Sequence, residues 1–264
     1  ESPAASVAIP SDLDDLLSRD PAAARQERLR VRAELRAAFA AGRRVAVFTN
    51  NDDGWRTAMD LARQGVEVRA VIDTRDVPPP IDVAVLQGAL LVRRGHIVDT
   101  RGRHALESIR LADGRKIACD CLAVSGGWNP SVHLSCHQRG RPVWHGDLAA
   151  FVPGGTLPDG MTVVGAANGE LTLNAALRSG HDAAVAASQG LGFDADAPAL
   201  PDAVTEPARL EAFWQVRHPV TGLRRAWSRA WIDWQNDVTA KDIALSVQEG
   251  FRASEHVKRY TTLG

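Results

Sequence analysis

The sequence predicts an α/β fold followed by a small helical module. Three observations carry that prediction. From Arg43 onward an apolar run (45–48), a helical pattern (55–64) and a second apolar run (66–72) follow one another, the order of a parallel strand pair and its crossover helix. Short apolar runs separated by glycine turns occupy 89–124. Beyond a stretch rich in Ala, Pro and Asp, the last part of the chain returns to a helical period.

The elements follow in order. Residues 1–20 read as a loose leader. A helix is expected over 21–41: Asp20 can cap it, Pro21 suits its first position, and Gly42 stops it. Leu29, Leu35 and Phe39 can form one apolar stripe on it. The strand 45–48 runs into the polar loop Thr49-Asn50-Asn51-Asp52-Asp53-Gly54. The helix 55–64 has Ala58, Leu61 and Ala62 on one face and is closed by Gly65; the strand 66–72 ends at Asp73. This makes a βαβ unit of about 30 residues. Pro78-Pro79-Pro80 breaks the chain. Strands are expected over 89–98, 105–111 and 116–124, with turns at Arg94-Gly95 and Asp113-Gly114, the second a hairpin signal. A βαβ unit followed by a three-stranded meander fits the nicotinamide domain of two-dinucleotide-fold flavoenzymes, so the Rossmann-like unit is bounded at 42–190. After Ser125-Gly126-Gly127 the chain is irregular until a short strand at 161–164 and a helix over 171–189. Residues 191–208 read as a linker and 209–264 as the final module, with 1–41 unassigned. In that module Thr239 and Asp242 resemble a capping box. Ile243, Val247 and Phe251 give one helical face, Gly250 breaks it, and Ser254 can cap a second helix.

Composition removes several function classes. The 264 residues are 45% hydrophobic and 24% charged, the profile of a soluble globular protein. A net charge of −1 gives no general electrostatic case for nucleic acid or an anionic membrane. No apolar run is long enough to span a bilayer, and the first residues lack a basic start with an apolar core. Three cysteines point to a reducing compartment without a disulfide framework, and a cytoplasmic location is expected. Seven tryptophans stand against one tyrosine, with Trp214, Trp227, Trp231 and Trp234 late in the chain. An interface and a small local core explain such a cluster equally well.

Four groups of residues are candidates for chemistry. The loop Thr49 to Gly54 stands where a dinucleotide fold carries its phosphate loop. Asp52 and Asp53 suit the helix dipole but put two unscreened acids where a pyrophosphate would lie. Asp73, nineteen residues after Gly54, stands where an acid would hold a ribose, with Arg75 just beyond it. This loop is expected to keep the fold and to have lost the nucleotide. Cys119 and Cys121 should share one strand face. With Cys136, His133, His137 and His145 they make zinc conceivable, but the spacing matches no common zinc pattern, so no metal is expected. The better nucleotide candidate is the turn Gly165, Ala166, Ala167 to Leu171, Thr172 and Leu173, where small side chains and free N–H groups precede a helix; a plain strand-to-helix turn is the competing reading. The stretch "SEHVKRYTTLG" holds His256, Lys258, Arg259, Tyr260 and Thr261, a set able to bind phosphate or to form a solvated basic face.

Four stretches together carry a family resemblance: "VFTNNDDGWRTAMDL", "CDCLAVSGGWNPSVHL", "VVGAANGELTL" and "WIDWQNDVTAKDIALSVQEGFRASEHVKRYTTLG". They resemble the α subunit of heterotetrameric sarcosine oxidase, from about Gly42 to Gly264. The resemblance implies a portion of a flavoprotein resembling the pyridine nucleotide-disulfide reductases. It implies a subunit of a complex that oxidises sarcosine, with O2, water and tetrahydrofolate, to glycine, H2O2 and a one-carbon unit. It implies NAD in this subunit, FMN shared with a β subunit, FAD on that partner, and γ and δ subunits alongside. The chain then reads as an internal or abbreviated piece, with the first nucleotide fold and the folate domain elsewhere. Carried over residue by residue, Gly165, Ala166, Leu171 and Leu173 contact NAD, and Ala167 and Thr172 lie in the same turn. Ser125, Gly126 and Gly127 form the crossing between folds. His256, Lys258, Arg259, Tyr260 and Thr261 face FMN or the β subunit. The final module resembles small iron–sulfur domains of amine and opine dehydrogenases, but Asp233-Trp234-Gln235 replaces their Cys-x-Cys, so no cluster is expected. No catalytic residue is expected on this chain. The competing functions are a stand-alone NAD(P)-dependent oxidoreductase built on 43–124 and a helix-turn-helix binding module at 239–260.

Overall fold

The computed structural model describes residues 44–76, 83–137, 140–193, 197–201, 203, 208–216 and 230–263. The helix expected over 21–41, the three prolines, Trp227 and parts of the 191–208 linker lie outside these residues. The chain divides into two compact units, Glu1–Gln215 and Val216–Gly264.

The first unit is built on a parallel sheet. Strand β1 (Arg44–Thr49) leads into helix α1 (Asp52–Arg63) and strand β2 (Glu67–Asp73). β2 pairs in parallel with β1, with Val47 opposite Val71 and Thr49 opposite Asp73. Strand β3 (Leu90–Val92) extends the sheet beside β2, and β7 (Cys121–Ser125) lies on the other side of β1, both parallel. The order is β3-β2-β1-β7. Between β3 and β7 the chain builds an antiparallel meander of β4 (Ile97–Arg101), β5 (Ser108–Leu111) and β6 (Lys116–Ala118).

Alternation explains why β1 sits centrally. Val45 and Val47 pack with Trp55, Ala58 and Met59 of α1. Ala46 packs on the opposite side with Ile72, Val92 and the meander residues Ile97, Ile109, Leu111 and Ile117. Both faces are covered, which parallel strands require. The chain winds outward through β2 and β3, then crosses back over β1 to β7. The winding therefore reverses between β1 and β7, and in such sheets ligands bind at the carboxyl end of that point.

Several expected boundaries are corrected. Helix α1 begins at Asp52, not at residue 55, because Asn51 caps it: its side-chain oxygen accepts from the Asp53 and Gly54 amides at 3.0 and 3.3 Å. Gly54 is needed for close packing, since a Cβ there would lie 2.3 Å from the Thr49 side chain. The run 89–98 is two strands, β3 and β4, belonging to different sheets; Arg94 turns between them at φ +47°. The run 116–124 likewise divides into β6 and β7. Cys119 and Cys121 therefore do not share a strand face. Cys119 is buried between the sheet and the meander, whereas Cys121 packs on the α1 side. Residues 161–164 are not a strand but an irregular approach to a single 3₁₀ turn, Gly165–Asn168. The region expected to be irregular contains α2 (His133–Cys136) and a hairpin of β8 (Val143–His145) and β9 (Ala150–Val152). Trp144 meets Phe151 at 5.2 Å and Trp214 at 5.8 Å between ring centres. Helix α3 (Leu173–Gly190) starts two residues later than expected, where the Thr172 side chain accepts from the Ala175 amide.

Burial, and then the nearby Asp120 carboxylate, push the Cys119 thiol above its ordinary range. A buried thiol of raised pKa holds little reactive thiolate at neutral pH. Iodoacetamide should therefore alkylate Cys136 at least about tenfold faster than Cys119 in the native protein. Equal rates by peptide mass spectrometry would contradict this.

The second unit pairs β10 (Trp231–Asp233) with β11 (Val238–Thr239) and continues into α4 (Ala240–Gln248) and α5 (Ser254–Thr261). The expected capping box is present: the Thr239 amide and hydroxyl donate to Asp242 at 2.8 and 2.7 Å. These bonds hold the Asp242 carboxyl below its ordinary range. Gly250 breaks the helix at φ +95°. Ala253, not Ser254, occupies the cap of α5, and no side chain bonds there. Phe251, expected on the face of the first helix, lies in the connection beyond its end at Gln248 and meets Tyr260 of α5 at 4.8 Å.

Candidate functional site

At the carboxyl end of β1 and β7, Asn51 ties the two strands together. Its amide donates to the Ser125 carbonyl at 3.0 Å, and the Ser125 hydroxyl donates to its oxygen at 2.9 Å. This is the crevice where a dinucleotide would enter. Another stretch of the same chain lies along it. Leu210 forms an antiparallel bridge with Asn51. The Asp52 amide donates to the Arg209 carbonyl at 3.1 Å, and the Glu211 amide donates to the Asn50 carbonyl at 3.0 Å. Gly127, at φ +108°, admits the Leu210 side chain, because a Cβ there would lie 2.4 Å from Leu210 Cδ1. Further along, Phe213 packs edge-on against Phe48 at 6.3 Å and lies 5.7 Å from the His96 ring.

The two acids expected to be unscreened are both engaged. Asp52 is 1% exposed. Its carboxylate accepts from Arg75 Nη1 at 2.6 Å and from the Arg209 amide at 2.8 Å. Asp53 accepts from the Trp128 indole at 2.6 Å and pairs with Arg56. Asp73 is fully buried. It accepts from the Trp55 indole at 2.6 Å and from Arg75 Nη2 at 2.8 Å, so its oxygens are turned inward, away from any ribose. Burial alone would lower the Arg75 pKa, but hydrogen bonds to Asp73 and Asp52 outweigh it and hold the guanidinium above its ordinary value. Arg75 also donates to the Arg209 carbonyl at 2.8 Å. The cluster is a structural clamp whose charges are spent on each other.

The sequence pointed to the loop but not to its occupant. Arg75 lies 23 positions from Asp52 and Arg209 lies 157 away, and no local period links them. A stretch lacking strand or helix signals gave no hint that three of its residues add onto a folded edge.

The second candidate is the turn before α3. Gly165 is buried at φ +62°. Its N–H is not free as expected: Glu170 accepts it at 3.1 Å and Ser179 at 3.0 Å. Ala166 and Leu173 are exposed, while Ala167, Leu171 and Thr172 are half-buried. None of the 18 residues of α3 is fully buried, and about half of them are half-buried. Ser125 is half-buried, and Gly126 and Gly127 are exposed.

The third candidate is α5. Helical geometry puts His256 on one stripe with Arg259 and Tyr260, three and four residues on. All three are exposed, whereas Lys258 is half-buried and lies off that stripe. Thr261 does not join them: it is buried and its hydroxyl donates to the Val257 carbonyl at 2.8 Å. In the stretch Asp233-Trp234-Gln235, Asp233 accepts from the Gln235 and Asn236 amides at 2.9 and 3.1 Å. Trp234, 78% exposed, stacks on Trp231 at 5.4 Å. Among the described residues no three His, Cys, Asp or Glu side chains converge as metal ligands, and no helix is long and apolar enough to cross a membrane.

Comparison with known proteins agrees with this architecture. Residues 227–264 match the sarcosine oxidase A3 domain family. The sarcosine oxidase subunit alpha of Rhizobium meliloti (strain 1021) is 38% identical over 233 residues, covering 85% of this chain and 22% of the relative. That of Corynebacterium sp. (strain P-1) is 30% identical over 236 residues, covering 84% and 24%. The chain thus spans about a quarter or less of these relatives' length. Among solved structures, L-proline dehydrogenase from P. horikoshii superposes with a TM-score of 0.50 at 15% identity, covering 84% of this chain and 40% of that one. The two share an α/β fold built on a parallel sheet with helices.

Proposed function

On the premise that the chain is similar to a segment of sarcosine oxidase α subunits, we propose that it is a cofactor- and partner-binding portion of a sarcosine oxidase-type complex. One observation carries the proposal: a single alignment at 38% identity covers 85% of this chain. The complex oxidises a secondary amine of the sarcosine class, and this chain supplies no group to that step. Its part is to hold NAD and to complete an FMN site with a β subunit.

The residues fit these roles unequally. At the NAD site, Ala166 and Ala167 offer a small, accessible surface at a helix start, and Leu171, Thr172 and Leu173 continue it. Glu170 beside this turn makes a poor neighbour for phosphate. The contact is therefore to the sugar or base, with the pyrophosphate held by another nucleotide fold of the complex. At the FMN site, His256 and Arg259 on one exposed stripe can meet a phosphate, with Tyr260 beside them. Lys258 adds charge from the side, and Thr261 supports the helix rather than the ligand. Ser125, Gly126 and Gly127 serve as the crossing between nucleotide folds, and Gly127 seats Leu210.

A stand-alone NAD(P)-dependent oxidoreductase built on 43–124 is disfavoured by the stretch lying along the crevice between β1 and β7. A helix-turn-helix function is disfavoured by the net charge of −1 and by the acids Asp237, Asp242 and Glu249. The test is to purify the complex formed with a β-type flavoprotein and measure amine-dependent peroxide, FMN and NAD. Arg259→Ala with His256→Ala should lower FMN affinity by about tenfold or more, since each lost charge-assisted bond costs on the order of 1.5–3 kcal/mol. Ala166→Trp should lower NAD content and leave FMN intact. A complex free of FMN, or one unaffected by the α5 changes, would overturn the interface assignment.

A further inference from the structure

We infer that residues 209–213 form a built-in strap that permanently closes the dinucleotide crevice between β1 and β7, so that this half of the chain excludes nucleotides by occupying the site itself. The inference rests on this chain's own geometry and goes beyond the proposed membership of an amine-oxidising complex.

Three kinds of contact seat the strap. The backbone of Arg209 and Glu211 continues the edge of the loop through the Asp52 amide and the Asn50 carbonyl. The charges of Asp52 and Arg75 each reach the Arg209 backbone, at 2.8 Å in both cases. Leu210 enters the space left by the missing side chain of Gly127, and Phe213 docks on Phe48 and His96. The groups that a phosphate loop would turn toward a ligand are thus used up. The Asp53 and Gly54 amides bond the Asn51 side chain, and the Asp52 amide bonds Arg209. The remaining feature of such a site, an acid at the end of the second strand, is Asp73, which is fully buried under Trp55 and Arg75. A dinucleotide could enter only by displacing the strap, and displacement would leave the Asp52–Arg75 pair facing its phosphates.

Hydrogen exchange at single amides, on the intact chain in its complex, tests this. In the wild type, the Asp52 and Glu211 amides, each hydrogen-bonded to a backbone carbonyl, should exchange slowly. Millimolar NADH or ADP should leave both rates unchanged. Leu210→Ala should accelerate exchange at Glu211 by about tenfold or more, with the β2 amides unaffected. Arg75→Gln should do the same, and the Leu210 variant decides the matter where the Arg75 variant does not fold. Faster exchange at Glu211 on adding NADH or ADP would make the segment a displaceable lid and overturn permanent closure. Unchanged exchange in Leu210→Ala would overturn the seating. Neither result bears on whether the complex oxidises amines, because that reading is tested by flavin content and peroxide.

Discussion

Arg75→Gln is expected to lower the free energy of unfolding by about 3–5 kcal/mol, the cost of removing one partner from a buried ion network. Arg75 is 5% exposed and bridges two carboxylates, Asp52 and Asp73, whose side chains are wholly buried. The substitution leaves both acids in the interior without a counter-charge. Deleting the network as a whole is a different experiment. Arg75→Met with Asp52→Asn and Asp73→Asn should cost less than Arg75→Gln alone, because no uncompensated charge remains. Arg63 and Asp60 on the surface of α1 provide the control: Arg63→Ala should change stability by less than about 1 kcal/mol. Urea unfolding measures all three, read as a shift of the midpoint at constant slope. A loss under about 1 kcal/mol for Arg75→Gln would mean that water reaches the cluster and screens it.

Trp55 is the second position of large effect. It is 1% exposed, packs between α1 and β1, and donates its indole N–H to Asp73. Two substitutions separate these contributions. Trp55→Phe keeps most of the ring and removes the donor, costing about 1.5–3 kcal/mol for a hydrogen bond to a charged group. Trp55→Ala also opens a cavity and should cost about 3–5 kcal/mol. If the two variants were equally stable, packing would contribute nothing beyond the hydrogen bond, contrary to the buried cluster around this ring.

The parts of the fold legible in the sequence are those with a local cause. β1, α1 and β2 follow from period and length, and the Thr239–Asp242 cap follows from spacing alone. The three-residue strands β3 and β6 are a different matter. Each ends where the chain passes from one sheet to the other, and a continuous apolar run conceals the passage, because both sheets demand apolar residues there. That is why Cys119 and Cys121 read as neighbours on one face and fold onto opposite sides. The loop was half legible: its two acids and single glycine stand out in the sequence, but their partners do not. Their true arrangement depends on Arg75 and Arg209, far apart in the chain, and it reverses one inference. Asp52 does not repel a ligand as a free charge; it is a buried partner in a clamp. Replacing it by glycine would therefore destabilise the unit instead of merely restoring a phosphate loop.

The position of the strap also decides where this polypeptide can be cut. A boundary drawn by composition would fall at the end of α3, before the stretch rich in Ala and Pro. A fragment ending there would lose the Arg209 amide and carbonyl that complete the Asp52–Arg75 pair, the leucine that fills the space over Gly127, and the phenylalanine lying on β1. The compact unit runs to Gln215. For chimeras between relatives, or for any natural recombination among them, the exchangeable block thus ends after the strap, and the segment that looks like a dispensable connector travels with the sheet it completes.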